Sequence, residues 1–66
     1  MNIKAHIVFD KNKNSLKIYN LIKKNINILT PNKANLFIVI GGDGFMLHSI
    51  KKFYKYKKSF YGINSG

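Results

Sequence analysis

The stretch Leu36-Phe-Ile-Val-Ile-Gly-Gly-Asp-Gly-Phe-Met-Leu47 sets the terms for the whole chain. An apolar run without polar alternation, Leu36 to Ile40, fits a strand covered on both faces, as in a parallel sheet between helix layers. Glycines end the run. Gly41, Gly42 and Gly44 permit positive φ and let a ligand approach the main chain without meeting a Cβ. The N–H groups of such a loop, leading at once into a helix N-terminus, form an anion site, and phosphate is the natural guest.

The segments around this turn read as alternating strands and helices. Ile3 to Phe9 is a first strand, with Ile7, Val8 and Phe9 in the core. Asp10 to Asn14 is a polar connection in which Asn14 or Ser15 can cap a helix. Ile18, Tyr19, Ile22 and Ile26 then form one apolar stripe at helical spacing, and the helix stops before Pro31. Thr30 to Asn35 is a loop. After the glycine turn, Met46, Leu47, Ile50, Phe53 and Tyr54 again keep helical spacing, which predicts a helix over about Phe45 to Tyr56. Lys51, Lys52 and Lys55 lie on its opposite face with His48. Ser59 opens a third strand, Phe60 to Ile63, followed by a turn at Asn64-Ser65-Gly66. The order is β-α-β-α-β, with right-handed crossovers and parallel pairing as the default. Two helices are too few to cover both faces of so apolar a sheet, so apolar surface and open strand edges should remain.

Composition narrows the function classes. A chain of 66 residues forms one small domain, which buries only about 60% of its unfolded surface. Without cysteine it has neither a disulfide nor a thiolate metal site. No stretch is long and apolar enough to read as a bilayer span, and none reads as a secretory leader, so a cytoplasmic protein without membrane partners is expected. The net charge of +10 comes entirely from lysine. Absence of arginine weakens a sequence-specific nucleic-acid reading, because arginine is the usual bidentate reader of guanine and phosphate. Lys51, Lys52, Lys55, Lys57 and Lys58, interleaved with Phe53, Tyr54 and Tyr56, offer a nonspecific polyanion surface, but a charge run is usually a solvated face.

Two familiar phosphate motifs fail at the glycine turn. No Gly-Lys-Ser/Thr follows at P-loop spacing. The dinucleotide fingerprint also fails, since Leu47 stands where its third small residue belongs. Gly-Gly-Asp-Gly remains. A carboxylate among phosphate-binding N–H groups makes sense if it faces a hydroxyl. Asp43 can then orient or deprotonate an attacking alcohol in phosphoryl transfer.

Gly41-Gly-Asp-Gly44 between an apolar strand and a helix, followed about eighteen residues after Asp43 by Tyr61-Gly-Ile-Asn-Ser-Gly66, resembles the opening of the N-terminal domain of NAD kinases. Diacylglycerol kinases and 6-phosphofructokinases share the first motif. The second sets NAD kinases apart, and there it normally continues into Leu-Gly-Phe. The resemblance is strong from Ala34 to Gly66 and topological before that. It implies a partial Rossmann-like three-layer α/β domain, truncated, with residues 1–66 as the N-terminal segment of a catalytic domain whose β-rich C-terminal partner is missing. It further implies ATP-dependent phosphorylation of the 2′-hydroxyl of the adenosine ribose of NAD, with a divalent ion such as Mg2+ present, to give NADP. Asp43 would accept the proton. Gly41, Gly42 and Gly44 would line the nucleotide and phosphate site, with Leu47 near the adenine and His48 contacting NAD. No metal ligand is assigned among these residues. Phe45 departs from the commoner threonine. In the family a homo-oligomeric neighbour and an Asn-Glu or Asn-Asp pair complete the site, so the 66-residue chain alone is expected to be inactive.

Plainer readings stand beside these. Glycines after a strand usually just make a turn, and a histidine on a lysine-rich face is as readily idle as a ligand contact. His6 is expected to be structural and Asp10 to cap a turn, while Asn64 is either an αL turn residue or a site residue. The rival functions are a lipid or sugar kinase using the same turn and a small basic nucleic-acid-binding protein. A decayed gene product without function is a third.

Overall fold

The computed structural model describes residues 3–66. Four strands, β1 (Ile3–Phe9), β2 (Ile26–Ile28), β3 (Leu36–Gly41) and β4 (Ser59–Asn64), form one parallel sheet in the order β2-β1-β3-β4. Helix α1 (Lys13–Ile22) follows β1, and α2 (Asp43–Phe53) follows β3.

Strand alternation sorts the sheet into two faces. Ala5, Ile38 and Ile40 are buried on one face, where Ile18, Tyr19 and Ile22 of α1 pack with Ile3, Ile7 and Phe9. On the other face Phe37 is central. Its ring lies 5.0 Å from Phe53 of α2, 5.2 Å from Phe60 and 5.7 Å from His6. The two helices therefore cover opposite faces and make an α/β/α stack. This bears out the α/β class, the parallel sheet and a strand at Leu36 sealed on both sides: from Phe37 to Gly41 every residue is buried.

The sequence reading missed β2. It carried α1 through Ile26, whereas the helix ends at Ile22, a 3-10 turn covers Lys23–Asn25, and Ile26-Asn27-Ile28 pairs with Ile3, Lys4 and Ala5. Asparagine and β-branched isoleucine are poor helix formers, and alternating residues suit a strand. Ile26 still packs on the core it was expected to reach, from the sheet instead of from the helix.

Three further expectations are corrected. Asn12, not Asn14 or Ser15, caps α1, its Oδ1 accepting from Ser15 N–H at 2.8 Å. Ile7, Val8 and Phe9 are only half-buried, while Ala5 is the sealed position of β1, because β2 is too short to flank the upper half of that strand. In α2 the stripe turns away from its predicted side. Ser49 is buried, Met46 lies against Gly62, and Leu47, Ile50 and Tyr54 are exposed. A small residue at the closest approach lets the helix sit low on β3 and β4.

The chain passes from β2 to β3 through residues 29–35, crossing β1 on the His6 side, where His6 Nδ1–H donates to the Leu29 carbonyl at 3.0 Å. Lys58 holds this crossing. Its ammonium donates to the carbonyls of Pro31 at 2.9 Å, Asn32 at 2.7 Å and Ala34 at 2.5 Å. Lys58 is thus withdrawn from the solvated lysine cluster in which the sequence placed it. Hydrogen bonds to a charged donor are worth roughly 1.5–3 kcal/mol net. Lys58→Met should lower the unfolding free energy by about 1–3 kcal/mol, read from a urea titration, and expose Lys33 to trypsin at low protease.

Candidate active site

Helices that leave adjacent parallel strands toward opposite faces open a crevice at the strands' carboxyl ends. Here that point lies between β1 and β3, and the glycine turn occupies it. Asp10 at the end of β1 is tied to the end of β3 by its N–H, which donates to the Ile40 carbonyl at 2.9 Å.

The turn's conformation differs from the expected one: no described glycine has positive φ. Gly41 is required by a close approach. A Cβ there would lie 2.5 Å from Cδ2 and 2.9 Å from Cγ of Phe45, whose ring folds back over the turn. Gly42 caps α2 in extended conformation, with φ −83° and ψ 179°. A Cβ on Gly42 or Gly44 would meet nothing within 4 Å. Both glycines leave the backbone open to an incoming group.

Helix α2 begins at Asp43, two residues earlier than predicted, and Met46 donates to the Gly42 carbonyl at 2.9 Å. The carboxylate of Asp43 therefore sits in the first turn of α2, where the helix dipole favours negative charge. The side chain is exposed. On the same helix Leu47 lies one turn beyond Asp43 and His48 one turn beyond Gly44; both are exposed, Leu47 by 57%. Asp43, Gly44, Leu47 and His48 thus share the open side of α2, the side away from Ser49 and the sheet.

The second motif packs directly against the first. Ser65 N–H donates to the Gly41 carbonyl at 3.1 Å, and a Cβ on Gly66 would come 3.5 Å from Gly42 Cα. Asn64 ends β4 with its Oδ1 accepting from Gly66 N–H at 2.9 Å. It has no positive φ, so it is not the αL turn residue that was one of its two expected roles. The N-terminal turn of α1 closes the group: Ser15 Oγ lies 2.6 Å from Ser65 Oγ, and Asn14 Nδ2 donates to the Ser65 carbonyl at 3.4 Å. Ser15 and Ser65 build this site, a part the sequence reading does not give them: Ser15 is read there only as a helix cap and Ser65 only as part of a turn.

His6 and Asp10 take their expected plain roles. His6 packs between Phe37 and Phe53 at 5.7 and 5.6 Å. Asp10 Oδ1 accepts from Lys11 N–H at 2.8 Å, a local turn cap. Among the described residues no group of three or more His, Cys, Asp or Glu could hold a metal ion, and no helix is long and apolar enough to cross a membrane.

Comparison with known proteins turns this geometry toward a family. The chain is 40% identical over 67 residues to the NAD kinase of Rickettsia prowazekii (strain Madrid E), covering all of this chain and 26% of the relative. It is 42% identical to the NAD kinase of Rickettsia canadensis (strain McKiel), with the same coverage. The whole chain matches a segment of NAD kinase. A third NAD kinase, from Rickettsia typhi (strain ATCC VR-144 / Wilmington), is 38% identical over 63 residues, covering 96% of this chain and 25% of the relative. The chain spans about a quarter of the length of the NAD kinases it matches. No protein-family model and no solved structure matches it significantly. The similarity to NAD kinases extends through β1, α1 and β2, where the sequence reading found only a shared topology.

Proposed function

We propose that the chain supplies the Gly-Gly-Asp-Gly segment of an NAD kinase, which transfers the γ-phosphoryl group of ATP to the 2′-hydroxyl of the adenosine ribose of NAD. The observation that carries this reading is one exposed carboxylate, Asp43, at the head of α2 beside backbone left open by Gly42 and Gly44. Open N–H groups at a helix start suit phosphate oxygens. Asp43 accepts the proton of the 2′-hydroxyl as that oxygen bonds to the γ-phosphorus and the bond to the ADP oxygen breaks. Leu47 and His48, on the same side of α2, contact the nucleotide, and Gly41 holds the turn in shape by admitting the Phe45 ring.

A divalent ion fits this donor set in one way. With a single carboxylate at the turn, Mg2+ would arrive on the phosphate oxygens of ATP, as it commonly does, and would neutralise their charge. In this reading the chain works in a soluble, cytoplasmic enzyme, and a homo-oligomeric neighbour together with the further three quarters of the relatives' length completes the nucleotide pocket. The 66 residues alone then form no NADP above the level of an Asp43→Asn control.

The test is a chimera in which residues 1–66 replace the corresponding quarter of the Rickettsia prowazekii NAD kinase. NADP formation from NAD and ATP is expected in the chimera, and Asp43→Asn should lower it by roughly 10²–10⁴-fold, the usual worth of a positioned general base. An inactive chimera beside an active parent would overturn the family reading. An active Asp43→Asn chimera would overturn the role of Asp43 alone.

A further inference from the structure

The crevice has two walls that belong to different parts of the chain, and one small buried side chain joins them. Ser15 is fully buried, although it occupies the exposed-looking polar start of α1. Its backbone N–H is used by the Asn12 cap, so its hydroxyl is free for a long-range contact, and it lies 2.6 Å from Ser65 Oγ. Ser65 in turn donates its own N–H to the Gly41 carbonyl, and Gly66 beside it lies against Gly42. A continuous chain of short contacts thus runs from α1 through Ser65 to the carbonyl of the residue that precedes the open glycine.

We propose that Ser15 is a positioning residue for the nucleotide site: its hydroxyl, acting through Ser65, fixes the Asn64–Gly66 turn against Gly41 and Gly42 and so sets the width of the phosphate-binding crevice. The proposal rests on the nucleotide reading above for its ligand and on the contacts alone for its geometry. Ser15 itself faces Ser65 and not the open side of α2. A hydroxyl pair in a part-buried place fixes distance and direction, which apolar packing leaves looser. Asn14 adds a second, weaker hold through its amide on the Ser65 carbonyl at 3.4 Å.

Two measurements test this: amide spectra of the ¹⁵N-labelled 66-residue chain without nucleotide, and NAD binding to the chimera of residues 1–66 with the rest of the Rickettsia prowazekii NAD kinase. In the absence of nucleotide, Ser15→Ala should move the Gly41, Gly42 and Ser65 amide resonances while leaving those of Ile26 to Ile28 in place. In the chimera, Ser15→Ala and Ser65→Ala should each weaken NAD binding roughly fivefold, the worth of one hydrogen bond, and the double variant should be no weaker than either single one. Additive losses would overturn the proposal, because the two residues would then act separately. Unchanged Gly41 and Gly42 resonances in Ser15→Ala would overturn it as well. A chimera that binds no NAD beside a parent that does would count against the nucleotide reading, and the nucleotide-free shifts would still decide the role of Ser15.

Discussion

Phe37→Ala is expected to leave the chain largely unfolded at 25 °C. Phe37 has no exposed surface, and its ring is the common neighbour of His6, Phe53, Tyr56 and Phe60, within 5.0 to 5.7 Å of each. Removing such a ring typically costs about 3–5 kcal/mol through lost transfer energy and the cavity left behind. A 66-residue domain at about 0.05–0.15 kcal/mol per residue has only about 3–10 kcal/mol to lose. The loss should be read by urea unfolding followed by circular dichroism. Phe37→Leu, which refills most of the volume, should restore a cooperative transition. A cooperative Phe37→Ala transition within 1 kcal/mol of wild type would show that α2 is not held by this cluster.

Gly41→Ala should act at the site and not in the core. The added methyl would need to occupy space already taken by the Phe45 ring, at 2.5 Å from Cδ2, 2.9 Å from Cγ and 3.1 Å from Cβ. The last two atoms sit close to the helix backbone, so a flick of the ring tip does not relieve them; the first turn of α2 must shift. Overpacking of this kind costs about 1–3 kcal/mol. Phe45→Ala opens the space, and Gly41→Ala should therefore cost little in that background. A full cycle of the two changes, measured by urea unfolding, should show strong coupling; additive costs would mean that the ring is not what the glycine admits.

These expectations show what kind of information the amino-acid order carried. The strand at Leu36–Gly41 was legible because its apolar run is unbroken, and the helix after it because punctuation and spacing agree. The pairing of the glycine turn with Asn64–Gly66 was legible only as a resemblance. Its physical basis, the Ser65 N–H on the Gly41 carbonyl and the Ser15 hydroxyl on Ser65, joins residues 24 and 50 positions apart and leaves no local pattern. β2 was missed because Ile22 and Ile26 sit one helical turn apart while Ile26 and Ile28 sit at strand spacing, so the same isoleucines satisfy both periods. The reason for Gly41 was also hidden. A glycine admitting a neighbour's ring and a glycine adopting positive φ look identical in sequence, and only the place of Phe45 separates them.

Sheet order carries a consequence for the sequence of events in synthesis. β1 is made first but lies inside the sheet, between β2 and β3, with Ala5 paired to both Ile28 and Leu36. It leaves the ribosome before α1 and β2, which supply one face and one edge, and its other edge stays open until residues 29–35 have crossed it and β3 has been made. Parallel pairing across such separations is slow, since loop closure must be met before contacts offset it. The edge of β1 that β3 will cover is therefore the last to close, and the lysines spaced along Lys4 to Lys24 put like charge on every copy of the segment while that edge is open.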